Sequence, residues 1–222
     1  MPYHIGGVRN FSETEKQALA RQFARPPEIV RNTNLSGRIR PHFWHFAEFG
    51  DVVVKHYYRG GILRHVNRRA YLKIGSTRSG AEFEVLHHVR KIGVNAPRPV
   101  LFAFLRKNWI FYHAWLVTER IPGAESLALL ACNTPERAMA LLPELARQIR
   151  TLLYHGILHV DLHPGNVIVD PNDRVYLVDF DNARFGKRRK RAFLRHYVNR
   201  WERAVAKHGL PAFLNDRIKD ID

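Results

Sequence analysis

The stretch that most constrains this chain lies between His159 and Asp179. It begins with the octapeptide HVDLHPGN, in which a histidine, an aspartate and an asparagine follow the spacing H-x-D-L-x-x-x-N. Two short apolar runs follow, VIVD and VYLVDF, separated by the turn-forming residues Pro171-Asn172-Asp173. A polar loop, a β-hairpin and an aspartate at the end of the second strand are therefore predicted in direct succession.

The residue types in this stretch are those that phosphoryl transfer requires. Transfer of a γ-phosphoryl group needs a carboxylate that orients the attacking hydroxyl, together with oxygen ligands that hold magnesium across the phosphates. Asp161 suits the first role, and Asn166 and Asp179 suit the second. The alternative is a turn in which Asp161 and Asn166 only cap backbone amides. Because Asp179 closes the hairpin that follows, the catalytic role is favoured over the capping turn. His159 is predicted to be a packed structural residue.

A cation for the nucleotide phosphates is predicted at Lys55, at the end of the apolar strand DVVVK. Kinases also need an acidic residue on the next helix to hold this lysine. Glu82 and Glu84 both lie on that helix, and they point about 200° apart at 3.6 residues per turn. Only one can face Lys55, and the apolar spacing leaves both as candidates. No G-x-G-x-x-G precedes Lys55, so the phosphate-covering loop is placed at Ser36-Gly37.

The first half of the chain is predicted to be rich in strands. A short helix begins at the cap Ser12, with Glu15 in the capping-box position. At least two antiparallel strands are predicted within residues 35–58, which are rich in aromatic and β-branched residues. An amphipathic helix then ends at Gly93, and two further strands form a hairpin around Arg106-Lys107-Asn108.

The second half is predicted to be mostly helical. Pro122-Gly123 marks the break, and two helical segments follow, one capped by Thr134 and one starting at Pro143. A last amphipathic helix is predicted over residues 187–208. The fold class is therefore α+β and bilobal, with a β-rich N-terminal lobe and a helical C-terminal lobe that holds the polar loop and its hairpin, at residues 1–119 and 120–222.

Composition narrows the class of partner. The chain has 36 Lys plus Arg against 20 Asp plus Glu, a formal net charge of +16 and a pI near 10.5, which favours an anionic partner or surface. The single cysteine, Cys132, excludes an internal disulfide framework and a cysteine-based zinc site. No segment reaches the roughly 18 apolar residues of a spanning helix, so a soluble or peripheral protein is expected.

Several stretches resemble the small bacterial sugar kinases with a protein-kinase-like fold, and in particular the 3-deoxy-D-manno-octulosonic acid (Kdo) kinases of lipopolysaccharide synthesis. The segment over residues 155–185 would also fit aminoglycoside and choline phosphotransferases. Arg59-Gly60-Gly61 and the sequence Glu-Arg-Ile-Pro-Gly from Glu119 favour the Kdo and heptose kinases of the core. The stretches that carry the resemblance are VVVKHYYRGG, AEFEVLHHVRKIGVNAPRPV, LVTERIPGAESL and HGILHVDLHPGNVIVD with VYLVDFDNARF.

This resemblance implies an ATP- and Mg²⁺-dependent transfer of phosphate to a sugar hydroxyl of a Kdo-containing lipid A precursor, the 4-hydroxyl in the Kdo kinases. It also implies a peripheral protein at the cytoplasmic face of the inner membrane. A heptose kinase or another small-molecule phosphotransferase is the alternative. The motif Asp-Phe-Asp in place of Asp-Phe-Gly, and the lack of Ala-Pro-Glu, count against a protein substrate. The roles carried over are Asp161 as catalytic aspartate, Asn166 and Asp179 as magnesium ligands, Lys55 for the phosphates, Glu82 as its partner, and Glu119 to Ile121 for adenine.

Two basic stretches offer a second interpretation of the charge. One covers residues 186–203 and the other residues 64–78. Because the first also carries Tyr197 and Trp201, it is typical of a helix that rests on anionic headgroups. Arginine clusters with aromatics are also the footprint of a nucleic-acid-binding module. No nucleic-acid-binding motif is present, so nucleic acid is not expected as a partner, and a monomer is predicted.

Overall fold

The computed structural model divides the chain into two compact units. Unit 1 comprises Met1–Glu84 and Arg98–Arg120, and unit 2 comprises Val85–Pro97 and Ile121–Asp222. The residues that the structure describes are 3–24, 42–46, 48–58, 77–106, 112–186, 189–219 and 221. The predicted phosphate loop at Ser36-Gly37, residues 59–61 and most of the basic stretch 64–78 lie outside these ranges.

Unit 1 is built around an antiparallel sheet. Its described strands are β1 (His4–Gly7), β2 (His42–Phe46), β3 (Gly50–Tyr58), β4 (Pro99–Arg106) and β5 (Tyr112–Glu119). Within the described residues the strand order is β1-β4-β5-β3-β2, with every neighbouring pair antiparallel. The predicted hairpins β2–β3 and β4–β5 are confirmed, whereas β1 was not anticipated from the sequence.

The two faces of this sheet have different neighbours. Val52 and Val54 are buried in an apolar cluster with Leu19 and Phe23 of α1 (Glu13–Ala24). Since side chains alternate along a strand, Lys55 and Tyr57 of β3 point to the opposite face. That face meets the start of α2 (Arg78–Lys91), whose residue Glu82 contacts both of them.

The predicted capping box at the start of α1 is confirmed. The backbone amide of Glu15 donates to Ser12 Oγ over 3.3 Å, and the amide of Ser12 donates to Glu15 Oε2 over 2.7 Å. This reciprocal pair satisfies two amides that would otherwise lack partners at the helix N-terminus. The helix that covers one face of the sheet therefore has a well-defined beginning.

Unit 2 is mainly helical. Apart from the C-terminal half of α2, its described helices are α3 (Leu127–Asn133), α4 (Pro135–Tyr154), α5 (Lys190–Lys207) and α6 (Asp216–Lys219). Its described strands are short: β6 (Glu125–Ser126), β7 (Ile157–Leu158), β8 (Val167–Val169), β9 (Val175–Leu177) and β10 (Arg184–Phe185). The predicted hairpin appears as β8 and β9, joined at residues 170–174. Helix α3, which Ser126 caps, was not anticipated.

The prediction of two helical segments between Thr134 and Tyr154 is wrong. The structure has one helix of 20 residues, α4, which continues through Pro143. Proline removes one backbone hydrogen bond to the residue four positions earlier, here Met139. Met139 is exposed, so water can reach its carbonyl, and buried residues such as Leu141 and Leu145 on either side of the proline keep the apolar face continuous.

A buried glutamine fixes the β8–β9 hairpin against α4. Gln148 is fully buried, and its Nε2 donates to Val175 O over 2.9 Å. Asn95 donates through Nδ2 to the same carbonyl over 3.1 Å, and its own backbone amide donates to Gln148 Oε1. The Leu177 amide donates to Asn95 O over 2.9 Å. These contacts place β9, and hence Asp179 two residues beyond it.

Candidate active site

The catalytic loop, residues 159–166, is ordered by its own side chains. It ends in a single 3₁₀ turn, Pro164–Asn166, which His163 caps by accepting the Gly165 amide at Nδ1 over 3.1 Å. Proline at the first position suits such a turn because its φ is already fixed. A Cβ on Gly165 would lie 3.0 Å from the His163 ring, so the glycine makes this cap possible.

Asn166 links the catalytic loop to the hairpin. Its Nδ2 donates to the backbone oxygen of Asp161 over 2.9 Å, and its own backbone oxygen accepts the Val178 amide over 3.0 Å. Val178 directly precedes Asp179. Asp161, Asn166 and Asp179 are thus joined by backbone contacts into one region of unit 2. Since Nδ2 is engaged as a donor, the Asn166 side-chain oxygen is left as the group that can bind a ligand.

Asp179 has a backbone conformation that non-glycine residues rarely adopt. Its φ is +65°, in the left-handed region. Aspartate tolerates this region better than most residues, and such strained positions cluster at functional sites. The next residue, Phe180, is buried, and its ring centroid lies 4.5 Å from that of His159. His159 in turn has Nε2 2.8 Å from Val178 O, so it holds the strand end from the other side.

The donor set fits magnesium. Magnesium prefers oxygen ligands and is usually held by one or two carboxylates together with substrate phosphates and water. Asn166 and Asp179 supply an amide oxygen and a carboxylate, and residues 167–178 between them form the rigid hairpin. Among the described residues, no group of three or more His, Cys, Asp or Glu side chains is placed to hold a metal ion by itself.

Asp161 is half-exposed and paired with an arginine from α5. Its side chain is 51% exposed, its Oδ1 accepts a hydrogen bond from Arg200 Nε over 2.7 Å, and Arg200 Nη2 lies 2.6 Å from the same oxygen as an ion-pair contact. In the sequence, Arg200 is one of many basic residues in the stretch 186–203. No local pattern could have indicated this pairing, because the two residues lie 39 positions apart.

His163 is held in its neutral form. Burial, together with the nearby charge of Arg200, lowers its pKa to about 4. A neutral imidazole that accepts the Gly165 amide at Nδ1 must carry its proton on Nε2. His163 therefore serves the loop as a neutral cap.

Unit 1 contains a second polar centre around Lys55. Its Nζ lies 2.8 Å from Glu82 Oε2 and 3.1 Å from Oε1. The Tyr57 hydroxyl also donates to Glu82 Oε2. The carboxylate of Glu82 is 3% exposed, compared with 21% for Lys55. The structure thus selects Glu82 over Glu84 as the residue that faces Lys55, and it adds Tyr57, which was not singled out from the sequence.

The backbone at the predicted adenine-binding segment is partly committed to other contacts. The Glu119 amide donates to Arg98 O over 2.9 Å, and the Arg120 amide donates to Asp51 O over 3.0 Å. Ile121 O accepts the Ala124 amide over 3.4 Å. The adenine role of residues 119–121 remains a prediction.

The two aromatic residues of α5 do not face the surface, so their predicted contact with lipid headgroups is wrong. Tyr197 and Trp201 are each only 1% exposed. The Tyr197 hydroxyl donates to Ile157 O, and Trp201 Nε1 donates to Leu214 O. The exposed residues at the start of the helix are basic, as at Arg191. In the part of the chain that the structure covers, no helix has the length and apolar character needed to cross a bilayer.

Comparison with known proteins gives consistent matches. Residues 28–211 match the model of the lipopolysaccharide kinase (Kdo/WaaP) family. A 3-deoxy-D-manno-octulosonic acid kinase of Vibrio cholerae serotype O1 is 32% identical over 161 residues, which is 71% of this chain and 68% of that protein. One from Stenotrophomonas maltophilia is 35% identical over 139 residues, 62% of this chain. The chain spans about 55% of the length of this relative and of several others.

A solved structure supports the fold. The structure titled "WaaP in complex with acyl carrier protein" aligns with a TM-score of 0.52 at 15% identity and covers 92% of both chains. At this identity the likeness concerns the fold alone, and it confirms the predicted α+β, protein-kinase-like class. The predicted resemblance to the lipopolysaccharide kinases is likewise confirmed. The chain belongs to the lipopolysaccharide kinase (Kdo/WaaP) family.

Proposed function

We propose that this protein transfers the γ-phosphoryl group of ATP, with Mg²⁺, to the 4-hydroxyl of a Kdo sugar on a lipid A precursor. Membership of a kinase family implies ATP as the phosphoryl donor. The relatives at 32% and 35% identity are named as Kdo kinases, which favours Kdo as the acceptor sugar. The family also includes WaaP, so phosphorylation of a core heptose is the second candidate.

Within this proposal each residue has one task. Asp161 orients the acceptor hydroxyl and accepts its proton as the phosphoryl group arrives. Asn166 and Asp179 hold the magnesium, which when bound neutralises charge on the β- and γ-phosphate oxygens. Lys55, kept in place by Glu82, binds the α- and β-phosphates.

One observation carries the proposal. Asn166 donates from its side chain to Asp161 O and accepts at its backbone from Val178, so a single residue connects the proposed base to the residue that precedes Asp179. Phosphoryl transfer depends mainly on positioning and electrostatic stabilisation. A loop whose base and metal ligands share one hydrogen-bonded residue meets this requirement.

The direct test is to incubate the full chain with ATP, Mg²⁺ and either Kdo-lipid A or a heptosylated acceptor. Mass spectrometry of the lipid gives the number of phosphates added, and NMR of the isolated sugar identifies the hydroxyl. Phosphate on the 4-hydroxyl of Kdo is the expected result. Phosphate on heptose would establish the second candidate, and phosphorylation of neither sugar would contradict the proposal.

We also propose that the protein works as a peripheral protein at the cytoplasmic face of the inner membrane. The support is the net charge of +16 and the exposed basic residues at the start of α5, namely Arg189, Lys190, Arg191 and Arg195. Attraction between such exposed charges and anionic lipid is screened as salt rises, with a Debye length near 3 Å at about 1 M. Sedimentation with anionic vesicles should therefore be lost at high salt. Retention on vesicles under those conditions would contradict electrostatic attachment.

A further inference from the structure

Helix α5 bonds directly to the backbone of the catalytic loop and the strand before it. The Tyr197 hydroxyl accepts the His159 amide over 2.8 Å and donates to Ile157 O over 3.1 Å. His196 Nε2 lies 2.9 Å from Val160 O and donates to it, since a carbonyl can only accept. Tyr197 is buried, and burial raises the pKa of its hydroxyl, so the donor proton is retained. The helix thus fixes three backbone groups shortly before Asp161, at Ile157, His159 and Val160.

Arg200 continues the same set of contacts one turn along the helix. It lies three and four residues beyond Tyr197 and His196, on the same side of α5. Both of its contacts with Asp161 go to one oxygen, Oδ1: Nε donates a hydrogen bond over 2.7 Å, and Nη2 forms an ion-pair contact at 2.6 Å. Among the described residues, none donates a hydrogen bond to Oδ2. One carboxylate oxygen is therefore anchored, while the other is left for a substrate.

We propose that Arg200 is a positioning residue, which holds the Asp161 carboxylate so that Oδ2 is presented to the acceptor hydroxyl. This inference rests on the proposed function, because it assigns Arg200 a task only if Asp161 is the base. A half-exposed aspartate on a loop can rotate about its side-chain torsions, and contacts from two nitrogens of a planar guanidinium to Oδ1 restrict that rotation. The donor sits on a helix anchored in the core by Tyr197 and Trp201, so the carboxylate is positioned by a rigid element.

Other contacts of Arg200 do not account for its position. Its side chain is 26% exposed, and among the described residues Asp161 is the one side chain with which it forms a hydrogen bond or an ion pair. Arg203, three residues further along, offers a contrast. It is exposed, and its Nε donates to Asn199 O in its own helix. Arg203→Ala is therefore a matched control, because it removes an arginine side chain from the same helix without removing a contact to the catalytic loop.

The first test compares steady-state kinetics of Arg200→Ala, Arg200→Lys and Arg203→Ala with the unaltered full chain, using ATP, Mg²⁺ and the acceptor. Misplacement of a catalytic group by about 1 Å can cost on the order of 10²-fold in rate. Arg200→Ala should lower kcat by that order and leave the KM for ATP unchanged. Arg200→Lys, which keeps a charged donor, should recover part of the loss, and Arg203→Ala should match the unaltered chain. A loss that appears in the KM of the acceptor with kcat preserved would overturn the inference in favour of direct substrate binding.

The second test asks whether Arg200 acts through Asp161. If it does, adding Arg200→Ala to Asp161→Asn should cause little further loss, because residues that act as a unit are strongly non-additive. Independent, additive losses would overturn the inference. Thermal unfolding and ATP binding of each variant check the fold, and Arg200→Lys serves if the alanine variant does not fold. Full turnover in Asp161→Asn would instead refute the proposed base, so the two failures can be told apart.

Discussion

The carboxylates of the two polar centres differ in how far they are exposed and in how fully they are bonded. In unit 1 the Glu82 carboxylate is 3% exposed and satisfied by both Lys55 and Tyr57. In unit 2 the Asp161 side chain is 51% exposed, and its contacts with the described residues go through one oxygen, Oδ1. A buried and fully bonded carboxylate stabilises the fold and fixes its neighbour. A half-exposed one contributes little to stability and keeps an oxygen for chemistry. The difference predicts that the same kind of substitution has opposite consequences at the two centres.

The largest expected effect is on turnover at Asp161. Replacement of Asp161 by Ala should lower kcat by about 10²–10⁴, the range for loss of a positioned base. The free energy of unfolding should change little because the side chain is half-exposed. Kinetics with Mg²⁺ and acceptor give the first quantity, and denaturant titration gives the second. An Asp161→Ala variant that is strongly destabilised but keeps its kcat would contradict the proposed difference between the two centres.

Glu82→Gln should show the reverse pattern. It leaves the Lys55 ammonium beside a neutral amide in a largely buried site, which costs about 1–3 kcal/mol of the free energy of unfolding. The measurement is the denaturant midpoint, with ATP affinity followed in parallel because Lys55 loses its anchor. Glu84→Gln, two residues along the same helix, is the matched control and should leave both quantities unchanged. Equal effects of the two substitutions would mean that the Lys55–Glu82 pair has no special role.

Tyr57→Phe sharpens the comparison within unit 1, since it removes only the hydroxyl that donates to Glu82. Loss of one hydrogen bond to a buried carboxylate should destabilise the fold by about 1.5–3 kcal/mol at most, and by less if Lys55 takes over the vacated oxygen. A modest rise in the KM for ATP is expected, because Glu82 then loses one of the donors that hold it beside Lys55. Unaltered stability together with unaltered KM would show that the tyrosine is not part of this centre.

The smallest expected effect is on the stability of the fold at acidic pH. Burial, followed by the charges of His113 and His42, lowers the pKa of His56 to about 4, against an ordinary value near 6.5. Between these two values the unfolded chain binds a proton that folded His56 does not, so stability should fall as pH drops from about 6.5 towards about 4.

His56→Gln should reduce this acid sensitivity as measured by denaturant titration across that range. His163 in unit 2, whose pKa is also about 4, titrates in the same window and should keep part of the effect. A His56→Gln variant with the full original pH dependence would show that His56 does not contribute.

The sequence predicts the two centres unequally, and the reason is the distance along the chain between partners. Asp161, Asn166 and Asp179 lie within 19 residues, and local turn and strand signals arrange them. Lys55 and Glu82 are 27 positions apart, and Asp161 and Arg200 are 39 apart. Helical periodicity could narrow the partner of Lys55 to two glutamates but could not choose between them. Only the packing of α2 on the sheet selects Glu82.

Local sequence signals also could not predict that α4 is one continuous helix. Pro143 is a strong indicator of a helix boundary, yet α4 passes through it because the apolar face on both sides is buried against one core. In the same way, the basic and aromatic composition of α5 indicated a helix on a membrane surface, whereas tertiary packing places Tyr197 and Trp201 in the interior of unit 2.

The most direct test of the central claim is calorimetric titration of ATP, with and without Mg²⁺, into the unaltered chain and into Asp161→Asn and Asp179→Asn. If Asp179 holds the metal and Asp161 acts on the acceptor, Asp179→Asn should abolish the magnesium-dependent part of ATP binding, and Asp161→Asn should retain it. Magnesium-dependent binding that survives in Asp179→Asn, or that is lost equally in both variants, would contradict this division of roles.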